Sequence, residues 1–497
     1  MCAGAGAGEA GRESTRRRRE TERGVLHGVL REHLETFLAR ASLDGMQRSL
    51  PRHVERELRG YLGCGILASG FARVRCRRCG KDELVAFSCK GRGFCPSCGG
   101  RRMAETAAHL VDAVLPEVAV RQWVLSFPWS IRWLIARDAR LCRRVRKVFL
   151  RAVFASYQRR AEREGVAAGC SGAVCFQQRF GSALNLNPHF HALVLDGVYA
   201  TSRSNPLAEP VFHELAPPDI EELSRLVRDV RDRVLRVLQK RGLFTPEHEL
   251  APAPAEDEAS LFSFLSAASI QGRGALEPEE GPAQLRLGGG EAPKDPFAPG
   301  ALCAQESGFS LHASVRIGAA DRDRLEHLCR YVARPPLAAE RLSLAPDGRV
   351  VYELRRPWRD GTTHVSFAPL TFLERLAALV PHPRSHLVTY HGILASAASH
   401  REDVVPENPG KGLASGTGGS GATEPRSERS RRYSWSELLK RVFGIDVLRC
   451  PCGGRRELIA LITEPEVIRR ILSHLGLSAE APELAPARDP PQLELGF

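Results

Sequence analysis

Two Cys-x2-Cys knuckles, Cys76/Cys79 and Cys95/Cys98, stand fifteen residues apart with a fifth thiol, Cys89, between them. Four thiolates at that spacing suit the closed tetrahedral coordination of structural zinc, with Cys89 an alternate for one of the four. Gly80 and Gly99 follow the knuckles and permit the tight turns that bring backbone close to sulfur. Such a set leaves no open coordination position, so it builds structure and does not catalyse. Arg73, Arg75, Arg77, Arg78, Lys90, Arg92, Arg101 and Arg102 surround it, which predicts a zinc-stapled module that binds nucleic acid. A second pair, Cys450 and Cys452, supplies only two ligands, with no partner pair near in sequence; its role stays open.

The chain of 497 residues is too long for one ordinary core. A net charge of +13 points to a polyanionic partner, although the arginine excess also fits a GC-rich genome. Neither a signal-peptide core segment nor an uncharged apolar run of about 18 residues occurs, so the expected location is the cytoplasm, with no membrane partner. Fourteen cysteines in that reducing setting argue for metal ligation and free thiols over disulfides.

Composition and periodicity divide the chain into segments. Residues 1–22 are a basic tail expected to be disordered, and 23–115 form a helical and zinc-binding N-terminal domain. The main domain spans 116–400, with an irregular insertion at 246–300 rich in Pro, Ala, Gly and acidic residues. A flexible linker at 401–432 precedes a small C-terminal region at 433–480 and a disordered tail at 481–497. Within the main domain, strands are expected near 121–128, 172–180, 188–196 and 309–317, and helices near 131–163, 218–241, 321–333 and 369–380.

One of those strands carries chemistry. In "NPHFHALVLDG" the imidazoles of His189 and His191 lie two residues apart and share one face of a strand. Two neutral imidazoles on a rigid strand are half of a divalent-metal site. The helix "DRDRLEHLCRYVARPP" has Asp321 as its N-cap and Pro335-Pro336 as its stop. Leu325, Leu328, Cys329 and Val332 make its buried stripe, while Arg324, His327, Tyr331 and Arg334 make a separate one. A tyrosine between arginines suggests a nucleophile. Because a phenol is protonated at neutral pH, attack on a phosphodiester needs cations and a polarised phosphate, with Arg334 or Arg324 neutralising the pentacoordinate state.

Taken together, these stretches resemble the rolling-circle transposases of the insertion sequence 91 and common-region type, within the wider His-hydrophobe-His single-strand endonuclease group. The resemblance rests on "CGILASGFARVRCRRCG", "AFSCKGRGFCPSCGGRRMAETAAHLVDAVLP", "RQWVLSFP", "QRFGSALNLNPHFHALVLDGVY", "RYVARPPLA" and "WSELLKRVFGIDVL". It implies an α+β fold: a small helical zinc-binding domain, then an endonuclease domain whose central antiparallel sheet, flanked by helices, carries the metal ligands, then a small helical C-terminal region. By the same resemblance His189 and His191 are the metal pair and Tyr331 the nucleophile. Gln178, on the neighbouring strand, is preferred over Gln177 as the third ligand, since Gln177 points to the opposite face of a regular strand. Many members carry a second tyrosine one turn earlier; here that position is His327.

The activity so implied is nicking and rejoining of DNA at element ends through a 5′-phosphotyrosine. Two imidazoles and an amide leave positions for phosphate oxygens and fit Mg²⁺ or Mn²⁺. The DNA, at ends and target, must be at least locally single-stranded. Self-association is left open, because one tyrosine must complete two strand transfers. The rivals are a plasmid replication initiator-type nickase and a zinc-dependent DNA-binding regulator without catalysis.

Overall fold

The computed structural model describes residues 21–43, 50–201, 209–244, 261–276, 283–286, 302–406, 433, 435–443, 446 and 448–488. Helices α1 (Val25–Leu43) and α2 (Arg52–Leu62) lead to a ribbon of β1 (Phe71–Cys76) and β2 (Asp82–Ala86), and α3 (Pro96–Ala113) follows. Then come β3 (Val120–Ser126), α4 (Trp129–Arg137) and α5 (Ala139–Arg163). A single helix was the expectation over 131–163. Asp138 divides it, because its carboxylate accepts from the backbone N–H groups of Arg140 and Leu141 at 2.7 and 2.9 Å and so caps α5.

Strands β4 (Gly172–Phe180) and β5 (Leu186–Leu195) form the hairpin that bears the histidines. They sit inside an antiparallel seven-stranded sheet with β3, β9 (Cys303–Glu306), β10 (Phe309–His312), β11 (Arg316–Ile317) and β15 (Val388–Gly392). The order is β15-β4-β5-β3-β10-β9, with β11 on the far end of β3. Strand alternation separates two cores. Trp123, Phe190 and Ala192 pack with Phe149 of α5 and Val230 of α6 (Ile220–Gln239). On the other face Val120, Phe176 and Leu193 pack with Leu110 of α3 and with Leu328 and Val332 of α8 (Arg322–Ala333).

Where β5 ends, Asp196 is fully buried, and Gly197 opens the short pair β6 (Gly197–Ala200) and β7 (Val211–Glu214). Arg121 donates to both carboxylate oxygens of Asp196 at 2.9 and 2.8 Å, Tyr157 adds an O–H donor at 2.9 Å, and Arg316 a guanidinium donor at 3.0 Å. This knot ties β3, α5 and β11 to the end of the histidine strand. A side chain at position 197 would collide with the His213 carbonyl oxygen, at 2.2 Å from a Cβ.

A third core joins the N-terminal helices to the rest. Leu30 and Phe37 of α1 and Leu58 of α2 cluster with Leu265 of α7 (Leu261–Gln271) and Phe372 of α9 (Pro369–Leu379). Below them lies the sheet β12 (Leu342–Leu344), β13 (Val350–Glu353), β14 (His364–Phe367) and β8 (Ala283–Leu285), in that order. The 246–300 interval is therefore not irregular throughout: α7 is an apolar helix buried in this core, and β8 pairs with β14. Residues 246–260, 277–282 and 287–300 lie outside the described residues, as do residues 1–20 and 407–432 of the expected tail and linker. The linker's first residues form the short helix α10 (Arg401–Val404).

The C-terminal region returns to the N-terminal one. Leu438 of α11 (Trp435–Phe443) packs on Ala104 and Ala108 of α3. Strand β16 (Arg456–Ile462) adds to β1, giving a three-stranded sheet β16-β1-β2, and α12 (Pro465–His474) covers Phe71 and Leu67. Part of the tail expected to be disordered is ordered instead: the backbone N–H of Ala485 donates to Arg31 O at 3.0 Å, and that of Arg488 to Thr36 Oγ1 at 3.1 Å.

Candidate active site and metal centres

Cross-strand register decides which polar groups share the histidine face. Gln178 of β4 stands opposite His189, and His191 lies between Phe176 and Val124 with His312 next in the row. Direct neighbours project to one side of a sheet. Gln177 stands opposite Phe190, on the other face.

His189 Nδ1–H donates to Asn187 O at 2.7 Å, which fixes the tautomer and leaves the lone pair on Nε2. Gln122 Nε2 lies 2.8 Å from His191 Nδ1; turning this amide over would present its oxygen to Nδ1–H and leave the His191 lone pair on Nε2. Burial holds both imidazoles neutral, with His189 pushed down to about 4 and His191 well below the ordinary range. Their ring centroids are 4.9 Å apart. Gln178 Nε2 donates to Val332 O of α8 at 2.7 Å, so the amide is held by the helix that carries the tyrosine.

His191 Nε2, Gln178 Oε1 and Asn187 Oδ1 are buried without a hydrogen-bond partner among the described residues. Buried polar atoms left unpaired on one face are costly, and a divalent cation fits them. The donor set could therefore hold the metal that the sequence suggests, with Asn187 and Gln122 as added parts. Neither was foreseen: Asn187 lies two residues before His189, and Gln122 is visible only once β3 and β5 are paired.

On α8, Asp321 Oδ1 accepts from the Arg324 backbone N–H at 3.1 Å, the expected N-cap. The Tyr331 ring lies 6.2 Å from the His191 ring, nearly perpendicular to it. Arg334 stacks with its guanidinium carbon 4.4 Å from the Tyr331 centroid and donates to Tyr331 O at 3.0 Å. The second cation at the ring is Arg355, at 4.9 Å, not Arg324. Arg324 is exposed on the first turn of α8; seven residues at about 1.5 Å rise put it roughly 10 Å along the axis from Tyr331. Arg355 arrives from the bend after β13, a placement that no spacing near Tyr331 signals.

Eight thiols gather in two groups among the described residues, and neither is the expected set. Cys64, Cys89, Cys95 and Cys98 come within 4.8 Å of one another, and so do Cys76, Cys79, Cys450 and Cys452. The two knuckles are split because the β1–β2 ribbon runs between them. Cys76 and Cys79 sit at its turn, while Cys89 lies beyond its base beside Cys64, which follows α2. Five paired residues at about 3.3 Å each separate turn from base by roughly 16 Å. In the first group the sulfurs of Cys64 and Cys95, Cys64 and Cys98, and Cys89 and Cys98 are 3.7, 3.9 and 3.5 Å apart. A zinc tetrahedron with bonds of about 2.3 Å has edges of about 3.8 Å. Cys64 was missed because it stands outside any Cys-x2-Cys.

Several of the eight cations around the knuckles have structural partners. Arg73 pairs with Asp82 at 2.5 Å, with Arg75 farther from the same carboxylate at 4.0 Å, and Arg77 pairs with Glu457 at 2.5 Å. Arg78 donates to Cys452 O, Arg92 to Ser385 O, and Arg102 to Gly91 O. Lys90 and Arg101 are exposed. A second basic surface, unforeseen from the sequence, is a cleft of about 310 Å³ lined by Arg140, Arg143, Arg144, Lys147 and Arg241. Its residues come from the first turns of α5 and the turn after α6, where Arg241 pairs with Asp138, and helical spacing makes the α5 set contiguous.

Residues 172–402 match the family described as "Putative transposase", and residues 29–127 match the zinc-binding domain of insertion-sequence-91 transposases. The first span holds the histidine hairpin, Tyr331, Arg334 and Arg355; the second holds the first thiol group entire. Neither a curated protein nor a solved structure matches the chain. No described helix is long and apolar enough to cross a membrane.

Proposed function

Because the chain belongs to the insertion-sequence-91-type transposases, we propose that it nicks and rejoins single-stranded DNA at element ends with Tyr331 as the nucleophile. The observation that carries this reading is the 6.2 Å approach of the Tyr331 ring to His191, on the face where buried polar atoms stand unpaired. His189, His191 and Gln178 would hold Mg²⁺ or Mn²⁺, which when bound polarises the scissile phosphate.

The chain's own groups account for the remaining work. Tyr331 Oη attacks phosphorus, the bond from phosphorus to the 3′-oxygen breaks, and the phenolic proton ends on the freed 3′-hydroxyl. The product is a 5′-phosphotyrosine ester of similar energy, so rejoining needs no nucleotide cofactor. Arg334 and Arg355, both against the phenol, stabilise charge building on the phosphoryl oxygens. Gln122 and Asn187 O orient the two imidazoles. Cys64, Cys89, Cys95 and Cys98 hold the zinc of the N-terminal domain. Lys90, Arg101 and the α5 cleft supply phosphate contacts along the DNA.

A labelled single-stranded oligonucleotide carrying an element end, incubated with the full chain and Mn²⁺, tests the proposal. Wild type should give a species that survives denaturation, and Tyr331→Phe should bind the strand without forming it. Equal binding by both with no adduct from either would instead mark a DNA-binding regulator.

A further inference from the structure

We propose that Cys76, Cys79, Cys450 and Cys452 form a second, split zinc site that clasps the C-terminal segment onto the N-terminal module. The segment that supplies Cys450 and Cys452 lies outside both matched spans, so the zinc-binding domain does not include it. The four sulfurs lie within 4.8 Å of one another, with Cys76 to Cys452 at 3.5 Å and Cys79 to Cys450 at 3.6 Å. Those separations fit the edges of a zinc tetrathiolate, about 3.8 Å, and are far from the roughly 2.05 Å of a disulfide.

The backbone on both sides is shaped around the sulfurs. Gly80, at φ +71°, closes a turn in which its N–H donates to Cys76 O at 2.9 Å. The other half repeats the device: Gly453, at φ +81°, donates to Cys450 O at 2.9 Å, and Gly454 N–H points at Cys452 Sγ from 3.4 Å. Gly454 is a close approach as well. A Cβ there would sit 2.8 Å from Cys76 Sγ and 3.3 Å from Cys452 Sγ. Arg78 Nη1 then ties the turns together by donating to Cys452 O at 3.0 Å.

Apolar burial alone is a thin basis for this junction. Leu458, Ile459 and Leu461 of β16 are 59, 53 and 62 % exposed, and among the described residues the core under the sheet has Leu67, Phe71, Ile468 and Leu472 as its buried members. Small modules of this kind are commonly stapled by metal. Tyr331 and the histidines play no part, so the clasp stands apart from the strand-transfer reading.

The test is metal content of the purified full chain under reductant, read together with hydrogen exchange. Wild type should hold two zinc ions, one for each thiol group, and the double variant Cys450→Ser, Cys452→Ser should hold one. In that variant exchange should accelerate across 448–480 while 172–195 stays protected. Cys452→His, which keeps a ligand, should retain the second ion. If the serine variant aggregates, cobalt-reconstituted wild type decides, since two tetrathiolate sites should give twice the thiolate charge-transfer absorbance of one. A single zinc in wild type, a second ion kept by the serine variant, or unchanged exchange over 448–480 would overturn the clasp.

Discussion

His189 shows how a residue acquires chemistry from its hydrogen bonds: the Asn187 carbonyl takes the Nδ1 proton and leaves the Nε2 lone pair for the metal proposed above. The His-x-His pair and the tyrosine were legible because strand and helix periodicities place them on defined faces. Arg355 was not, since it reaches the phenol from a separate hairpin. This contrast gives a graded expectation for the three arginines. Arg334→Ala and Arg355→Ala should each slow adduct formation about 10- to 100-fold, while Arg324→Ala should change it less than about twofold; single-turnover cleavage measures all three. Gln178→Ala should raise the Mn²⁺ concentration for half-maximal cleavage by roughly tenfold or more. An unchanged Mn²⁺ titration would remove Gln178 from the ligand set.

At the scale of elements, the histidine strand is held in register from both ends, by the β4 hairpin and by the Asp196 knot. Asp196→Asn leaves Arg121 buried with an uncompensated charge and should cost about 3–5 kcal/mol in urea denaturation. His391 of β15 adds a pH effect. Burial, helped by nearby Arg146, lowers it to about 4, so the folded chain keeps it neutral where the unfolded chain takes up a proton. Its stabilising contribution is complete above about pH 6.5 and is lost as pH falls toward 4. Thermal midpoints of wild type should therefore drop across that window, and His391→Gln should flatten the drop. Element types were readable from periodicity for β4, β5, α6 and α8, whereas β14, β15 and β16 needed tertiary pairing to declare themselves.

For the whole molecule, the sequence disclosed that cysteines bind metal but not which ones meet. Knuckle spacing favours local partners, yet the β1–β2 ribbon parts the two knuckles and brings in Cys64 at one end and Cys450 and Cys452 at the other. The two groups differ in what depends on them. Cys64, Cys95 and Cys98 belong to the same core as Phe37, Leu58 and Phe372, so Cys64→Ser should lower the main thermal transition and release zinc. Cys450→Ser with Cys452→Ser should leave that transition in place, since the group at the ribbon's turn borders only a small cluster. Calorimetry of the two variants beside wild type distinguishes these outcomes.

Cys79 and Cys450 are 371 residues apart in the chain. At about 5–20 residues per second, a ribosome delivers the later pair roughly 20–75 s after the earlier one. Through that interval Cys76 and Cys79 await their partners on the nascent polypeptide, and by its end the histidine hairpin and the tyrosine helix have been made. Closure of the proposed sulfur quartet is thus a late event in biosynthesis, and a product released early would lack it while possessing every residue of the proposed strand-transfer centre.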